Sequence, residues 1–163
     1  MSDVTYAPIG ATRTGELPPG YRYVRYRMLL GNGDELYRRA GDAIVTFAMH
    51  RALKPAKITT SAPRAESGVR LTIGLGPLKA PCEIVWADGD GFGYGTLPGH
   101  PAAGEEAFRV IRDAGGRVWF TVLAYSRPAR PVMRAAGPLA VMFQQSYARL
   151  CGRALKRICT VKS

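Results

Sequence analysis

The stretch Val118-Trp-Phe-Thr-Val-Leu-Ala-Tyr125 is apolar at positions that face both sides of a β-strand. Consecutive strand residues point to opposite faces, so a strand of this kind must be covered on both sides. That requirement excludes a sheet with one solvated face. The last segment offers one cover: Val132, Ala135, Ala136, Leu139, Met142, Phe143, Tyr147, Leu150, Ala154 and Ile158 trace one stripe of a helix over 131–158, which Pro138 must kink or restart.

The rest of the sheet lies upstream. Val69, Leu71, Ile73 and Leu75 alternate with Arg70, Thr72 and Gly74, and Cys82 to Trp86 makes a second short strand. Asp88-Gly-Asp-Gly91 is a hairpin turn, followed by strands over Phe92 to Leu97, Glu106 to Arg112 and Arg117 to Ser126, an antiparallel meander. Before it, Tyr21 to Leu30 alternates as a strand that ends at Gly31-Asn-Gly33. Asp34 is placed to cap an amphipathic helix over Glu35 to Leu53, with Leu36, Tyr37, Ala40, Ala43, Ile44, Phe47 and Ala48 on its buried stripe. Lys54 to Ser67 reads as a loop, and residues 1–20, rich in Pro and Gly, as an irregular arm anchored by Tyr6 and Ile9. No repeat or linker divides the 163 residues, so the expectation is a single α+β domain over 1–163.

Composition excludes several classes. No run approaches the roughly 20 apolar residues of a spanning helix. The N-terminus lacks the basic start and apolar core of a secretory signal, so a cytoplasmic protein is expected. Cys82, Cys151 and Cys159 cannot all pair and form no Cys-x-x-Cys, and His50 and His100 are not spaced as zinc ligands; the reading is free thiols, no metal and no cofactor. The net charge of +11 is concentrated late: after Asp113 there is no acidic side chain, while nine cations follow, Arg117, Arg127, Arg130, Arg134, Arg149, Arg153, Lys156, Arg157 and Lys162. Such a field draws in small anionic ligands and anionic membrane surfaces. Nucleic acid is the poorer fit, because aromatic residues that would stack on bases are not interleaved with the cations.

Candidate chemistry gathers in Gly91-Phe-Gly-Tyr-Gly-Thr-Leu-Pro-Gly-His-Pro-Ala-Ala-Gly-Glu-Glu-Ala-Phe108, where the density of Gly and Pro implies a shaped backbone. His100 beside Glu105 or Glu106 is a general-base pairing, with Tyr94 as a donor to a developing oxyanion. The competing reading is a rigid turn in which His100 caps a carbonyl and the glutamates pair with arginines. At most one of Glu105 and Glu106 can line a cavity, and a buried carboxylate implies a function or a buried Arg partner. Trp86, Phe92, Tyr94, Trp119, Tyr125 and Phe143 are the aromatic candidates for lining a ligand pocket of a few hundred Å³. No nucleophile elbow and no phosphate-binding glycine fingerprint is present.

Six phrases, Thr5-Tyr-Ala-Pro-Ile-Gly-Ala-Thr12, Leu17-Pro-Pro-Gly-Tyr21, Leu75-Gly-Pro-Leu78, Gly91-Phe-Gly-Tyr-Gly-Thr-Leu-Pro-Gly-His-Pro101, Gly104-Glu-Glu-Ala-Phe108 and Ser126-Arg-Pro-Ala129, together resemble the domain-of-unknown-function family 1990. The resemblance implies the helix-grip fold of the START and birch-pollen-allergen-like proteins, a curved antiparallel sheet wrapped around a long C-terminal helix. It carries no established reaction. What it implies is a cavity between sheet and helix for a small apolar ligand, such as a lipid or polyketide. The alternatives are an enzyme of unassigned reaction using His100, a neighbouring Glu and Tyr94, and a basic interaction module for an anionic membrane or nucleic acid. Binding is favoured over catalysis.

Overall fold

The computed structural model describes residues 3–160; Lys162 and the side chain of Val132 lie outside the described residues. Strands β1 (Arg22–Asn32), β2 (Lys57–Thr60), β3 (Arg70–Leu75), β4 (Leu78–Asp88), β5 (Gly91–Thr96), β6 (Ala102–Arg112) and β7 (Arg117–Pro128) form one antiparallel sheet in the order β1-β7-β6-β5-β4-β3-β2. The meander from β2 to β7 follows chain order, and β1 closes it by pairing with β7. One face of this curved sheet packs against α2 (Asp34–Val45), α3 (Ala48–Arg51) and α5 (Gly137–Thr160); we call it the inner face. Val118, Phe120, Val122 and Ala124 of β7 point inward together with Phe92, Tyr94, Phe108 and Val110. No helix of the described residues is long and apolar enough to cross a membrane.

The second cover required by β7 is the N-terminal arm, which lies on the outer face. Tyr6, Ala11 and Tyr125 form a small separate core there, flanked by Val4, Leu17 and Tyr21. Tyr6 is an anchor as expected, whereas Ile9 is 52% exposed. The arm contains one helical turn, α1 (Ala11–Thr14). None of the three glycines of Gly91-Phe-Gly-Tyr-Gly has a positive φ; Gly91 admits the backbone of β6 at Phe108, while Gly93 and Gly95 serve this covering rather than a turn. A Cβ on Gly93 would come within 2.3 Å of the Trp86 indole nitrogen, and one on Gly95 within 2.3 Å of the Tyr6 hydroxyl. Bare backbone on the outer side of β5 lets the two rings come into contact with it, while Phe92 and Tyr94 project inward.

Three local expectations are corrected. The helix expected from Glu35 to Leu53 breaks at Phe47, whose φ of 64° ends α2 and begins α3, and Gly33 rather than Asp34 occupies the cap position. That break aims Phe47 and His50 at the sheet, with Phe47 edge-on to Phe92 at 5.6 Å between centroids. The loop expected over 54–67 contains β2, an edge strand paired only with β3.

The third correction is the C-terminal stripe. The helix is divided into α4 (Pro131–Ala135) and α5, with Pro138 in the first turn of α5, where its missing N–H costs nothing. The face against the sheet is built from Ala148, Cys151, Gly152, Leu155 and Cys159, whereas Leu139, Met142, Phe143 and Leu150 are 52–70% exposed. Small residues win this face because the helix comes close to the sheet. A Cβ on Gly152 would lie 2.8 Å from the Met28 sulfur and 3.4 Å from Phe120.

Candidate functional site

Alternation along β6 sends its two adjacent glutamates to opposite faces. Glu105 lies opposite Gly95 and Tyr125 on the outer face, and Glu106 opposite Tyr94 and Ala124 on the inner one.

Glu105 is 2% exposed and receives the arm. Its Oε1 accepts from the Tyr6 hydroxyl at 2.7 Å and from the Gly10 amide at 2.7 Å; its Oε2 accepts from the Thr12 amide at 3.0 Å and from the Thr12 hydroxyl. The Trp86 indole N–H donates to that hydroxyl at 2.9 Å, which directs the Thr12 proton to the carboxylate. No arginine is involved. The expected choice between a function and a buried Arg partner is therefore too narrow here, because amides and hydroxyls alone satisfy the carboxylate.

Glu106 has a sparser environment. The Tyr94 hydroxyl donates to its Oε1 at 3.0 Å, and among the described residues its second oxygen has no protein hydrogen-bond partner. Burial raises its pKa from the usual 4.5 to about 7, against the lowering effect of the Tyr94 hydrogen bond. Yet Glu106 keeps some accessible surface, so it is not sealed off entirely. The Tyr147 hydroxyl from α5 is buried beside Tyr94, Cys151 and Glu106 with no hydrogen bond of good geometry, and burial raises the pKa values of Tyr94, Tyr147 and Cys151.

His50 closes the inner cluster from α3. It is fully buried between Phe108 at 4.7 Å, Phe92 at 5.5 Å and Tyr94 at 6.1 Å, and neither ring nitrogen has a hydrogen-bond partner. Burial lowers its pKa from 6.5 to about 3, so the ring is neutral, with one donor and one acceptor unused. Unpaired buried polar atoms cost about 1–3 kcal/mol each, so the two His50 ring nitrogens are costly groups inside an aromatic enclosure, with Glu106, Tyr94 and Tyr147 beside them.

The candidates from sequence divide across the sheet. Tyr94, Phe92 and Glu106 meet on the inner face. Trp86, Trp119 and Tyr125 lie on the outer face: a bulge between Ile84 and Trp86 turns the Trp86 ring under the arm, Trp119 is covered by the Arg27 guanidinium at 3.9 Å, and Tyr125 donates to the Pro8 carbonyl. Phe143 is exposed on α5 and stacks on Tyr147 at 6.5 Å. His100 sits in the β5–β6 turn, where its Nδ1 accepts from the Ala102 amide at 2.9 Å, the reverse of the expected carbonyl cap, and burial lowers its pKa to about 4. No hydrogen bond joins it to Tyr94, Glu105 or Glu106 among the described residues, and neither glutamate pairs with an arginine. His50 and Tyr147 were not singled out from sequence, though a lone histidine on an apolar helical stripe was the available signal.

Among the described residues no group of three His, Cys, Asp or Glu side chains could hold a metal ion. All three cysteines are free and buried. A surface cleft of about 470 Å³ beside Arg13, Arg64, Glu66 and Asp88 and a smaller recess of about 70 Å³ between Thr12, Trp86 and Arg109 both lie away from the inner cluster.

A curved antiparallel sheet gripping a long C-terminal helix defines the helix-grip class. Solved structures agree on the fold: truncated norcoclaurine synthase from Thalictrum flavum superposes with a TM-score of 0.65 at 9% identity, over 88% of this chain and 96% of that one. A START superfamily protein from Mycobacterium smegmatis gives 0.61 at 14% identity, over 84% and 95%. Within this class the chain belongs to the family described as Domain of unknown function (DUF1990), whose model matches residues 5–154. A UPF0548 protein from Deinococcus radiodurans is 35% identical over 94% of this chain and 86% of its own length, and one from Arabidopsis thaliana is 28% identical over 80% and 69%.

Proposed function

We propose that the chain binds a small, largely apolar molecule between its sheet and α5, with one hydroxyl or amine of the ligand received at Glu106, Tyr94, Tyr147 and His50. The observation that carries this reading is the unpaired His50 ring among Phe92, Phe108 and Tyr94, beside the Glu106 carboxyl that accepts one hydrogen bond from Tyr94. A packed core has no use for such groups, whereas a ligand bearing a donor would satisfy the free carboxyl oxygen. The fold neighbours in the START and related groups support binding of this kind by analogy. A carboxyl group at the polar end favours a neutral or aminated ligand over an anionic one.

Titration with 1-aminoanthracene, an apolar fluorophore with one amine, tests the reading. Its emission should rise on binding, and Glu106→Gln or Tyr94→Phe should weaken binding about tenfold, the loss of one hydrogen bond to a chargeable group. Absence of enhancement, or equal affinity in both variants, would count against it. Intrinsic tryptophan emission is a poor reporter, since Trp86 and Trp119 both lie on the outer face.

One observation favours a second reading as an enzyme of unassigned reaction: a carboxyl with a pKa of about 7 in contact with a phenol is suited to proton transfer at neutral pH. That role would fall to Glu106 and Tyr94, without His100.

A further inference from the structure

We propose that the outward face of α4 and α5 docks on anionic phospholipid bilayers. Helix α5 has two apolar faces. Its inner face packs on the sheet, while Leu139, Met142, Phe143 and Leu150 point away from the protein, each more than half exposed. At 100° per residue these four fall within an arc of about 100°, and the stripe continues through Ser146 to Arg153 and Arg157. The helix therefore presents apolar side chains along its first half and cations along its second.

The charges carried by α4 and α5 themselves are all positive. Arg130 and Arg134 precede the apolar stripe, and Arg149, Arg153, Lys156 and Arg157 flank or follow it; all six are exposed, and among the described residues none forms an ion pair with a carboxylate. No acidic side chain occurs after Asp113. Exposed large apolar groups beside unpaired cations are the composition of a helix that lies in a bilayer interface, its apolar side chains among the acyl chains and its arginines on lipid phosphates.

Charge complementarity decides the occupant. A second copy of this chain would bring six further cations against these six. A nucleic acid would pair with the arginines but leave Leu139, Met142 and Leu150 in water without a base-stacking role. An anionic bilayer satisfies both halves of the face. The proposal does not depend on what occupies the interior, although α5 also covers the ligand space.

Flotation of the full chain with lipid vesicles tests it. Vesicles of phosphatidylcholine with roughly 30 mol% phosphatidylglycerol should carry the protein at about 0.1 M salt, and neutral phosphatidylcholine vesicles should carry far less. The bound fraction should fall at least about tenfold in Leu139→Ser/Phe143→Ser and in Arg149→Glu/Arg153→Glu. Because all four residues are exposed, both variants should keep the wild-type circular dichroism and unfolding midpoint, which separates lost docking from lost folding. The proposal is overturned if the wild type does not float with anionic vesicles, or if either variant floats as the wild type does. It is equally overturned if the wild type is a dimer in light scattering that the Leu139→Ser/Phe143→Ser pair makes monomeric without any vesicle binding, or if only nucleic acid binds.

Discussion

Replacing Glu105 with alanine should destabilise the protein by roughly 3–5 kcal/mol, a large share of a typical domain's total stability. The carboxylate holds four donors from three residues of the arm, and its removal leaves the Gly10 and Thr12 amides and the Tyr6 hydroxyl without an acceptor in a buried setting. Glu105→Gln keeps the volume but turns an N–H₂ group toward two of those donors, and should cost about half as much. Urea unfolding measures the loss. Limited proteolysis locates it: cleavage should appear first within residues 3–20, because the arm's outer core consists of little more than Tyr6, Ala11 and Tyr125. A Glu105→Ala protein with wild-type stability and a protected arm would remove this carboxylate from its role as the arm's anchor.

The second large effect is a change in pH dependence. Glu106 has a folded pKa of about 7, above its ordinary 4.5, so between those values the folded state holds more protons than the unfolded one. The stability it contributes is fully present below about pH 4.5 and is lost as pH rises toward 7, a swing of up to about 3 kcal/mol. His50, held at about 3, and His100, at about 4, act with the opposite sign: each binds its proton better unfolded, so stability rises with pH up to about 6.5. Between about pH 4.5 and 6.5 the single carboxyl offsets about half of the slope set by the two histidines in the wild type. Glu106→Gln should expose the histidine slope, matching the wild type near pH 4 and exceeding its stability by roughly 2–3 kcal/mol at pH 8. Urea unfolding across that range is the test, and parallel profiles for the two proteins would refute it. The penalty borne by ligand-free Glu106 at neutral pH is what a bound donor would relieve.

The fold was largely legible in the sequence because strands and helices here carry opposite periodicities, and because β7 demands cover on both faces. What escaped is instructive in physical terms. Apolarity marks Leu139, Met142, Phe143 and Leu150 as a buried stripe, yet close approach of α5 selects the small residues Ala148, Cys151 and Gly152. Bulk and burial are different signals, and only contact distance separates them. Period-two reasoning separated Glu105 from Glu106 correctly, since that depends on local geometry alone. It does not assign Trp86 to a face, because the bulge before Trp86 shifts the register. Helical spacing puts His50 on the stripe with Ala43 and Phe47, but the left-handed Phe47 that aims its short helix at the sheet leaves no mark in the periodicity.

The central claim is that the interior polar set receives a small apolar ligand, and native mass spectrometry of protein gently purified from its own host tests it most directly. The account predicts a non-covalent adduct of a few hundred daltons that survives gentle ionisation, is lost on denaturation, and is depleted in the Glu106→Gln protein. A single apo mass in both proteins, together with no uptake of 1-aminoanthracene, would contradict it.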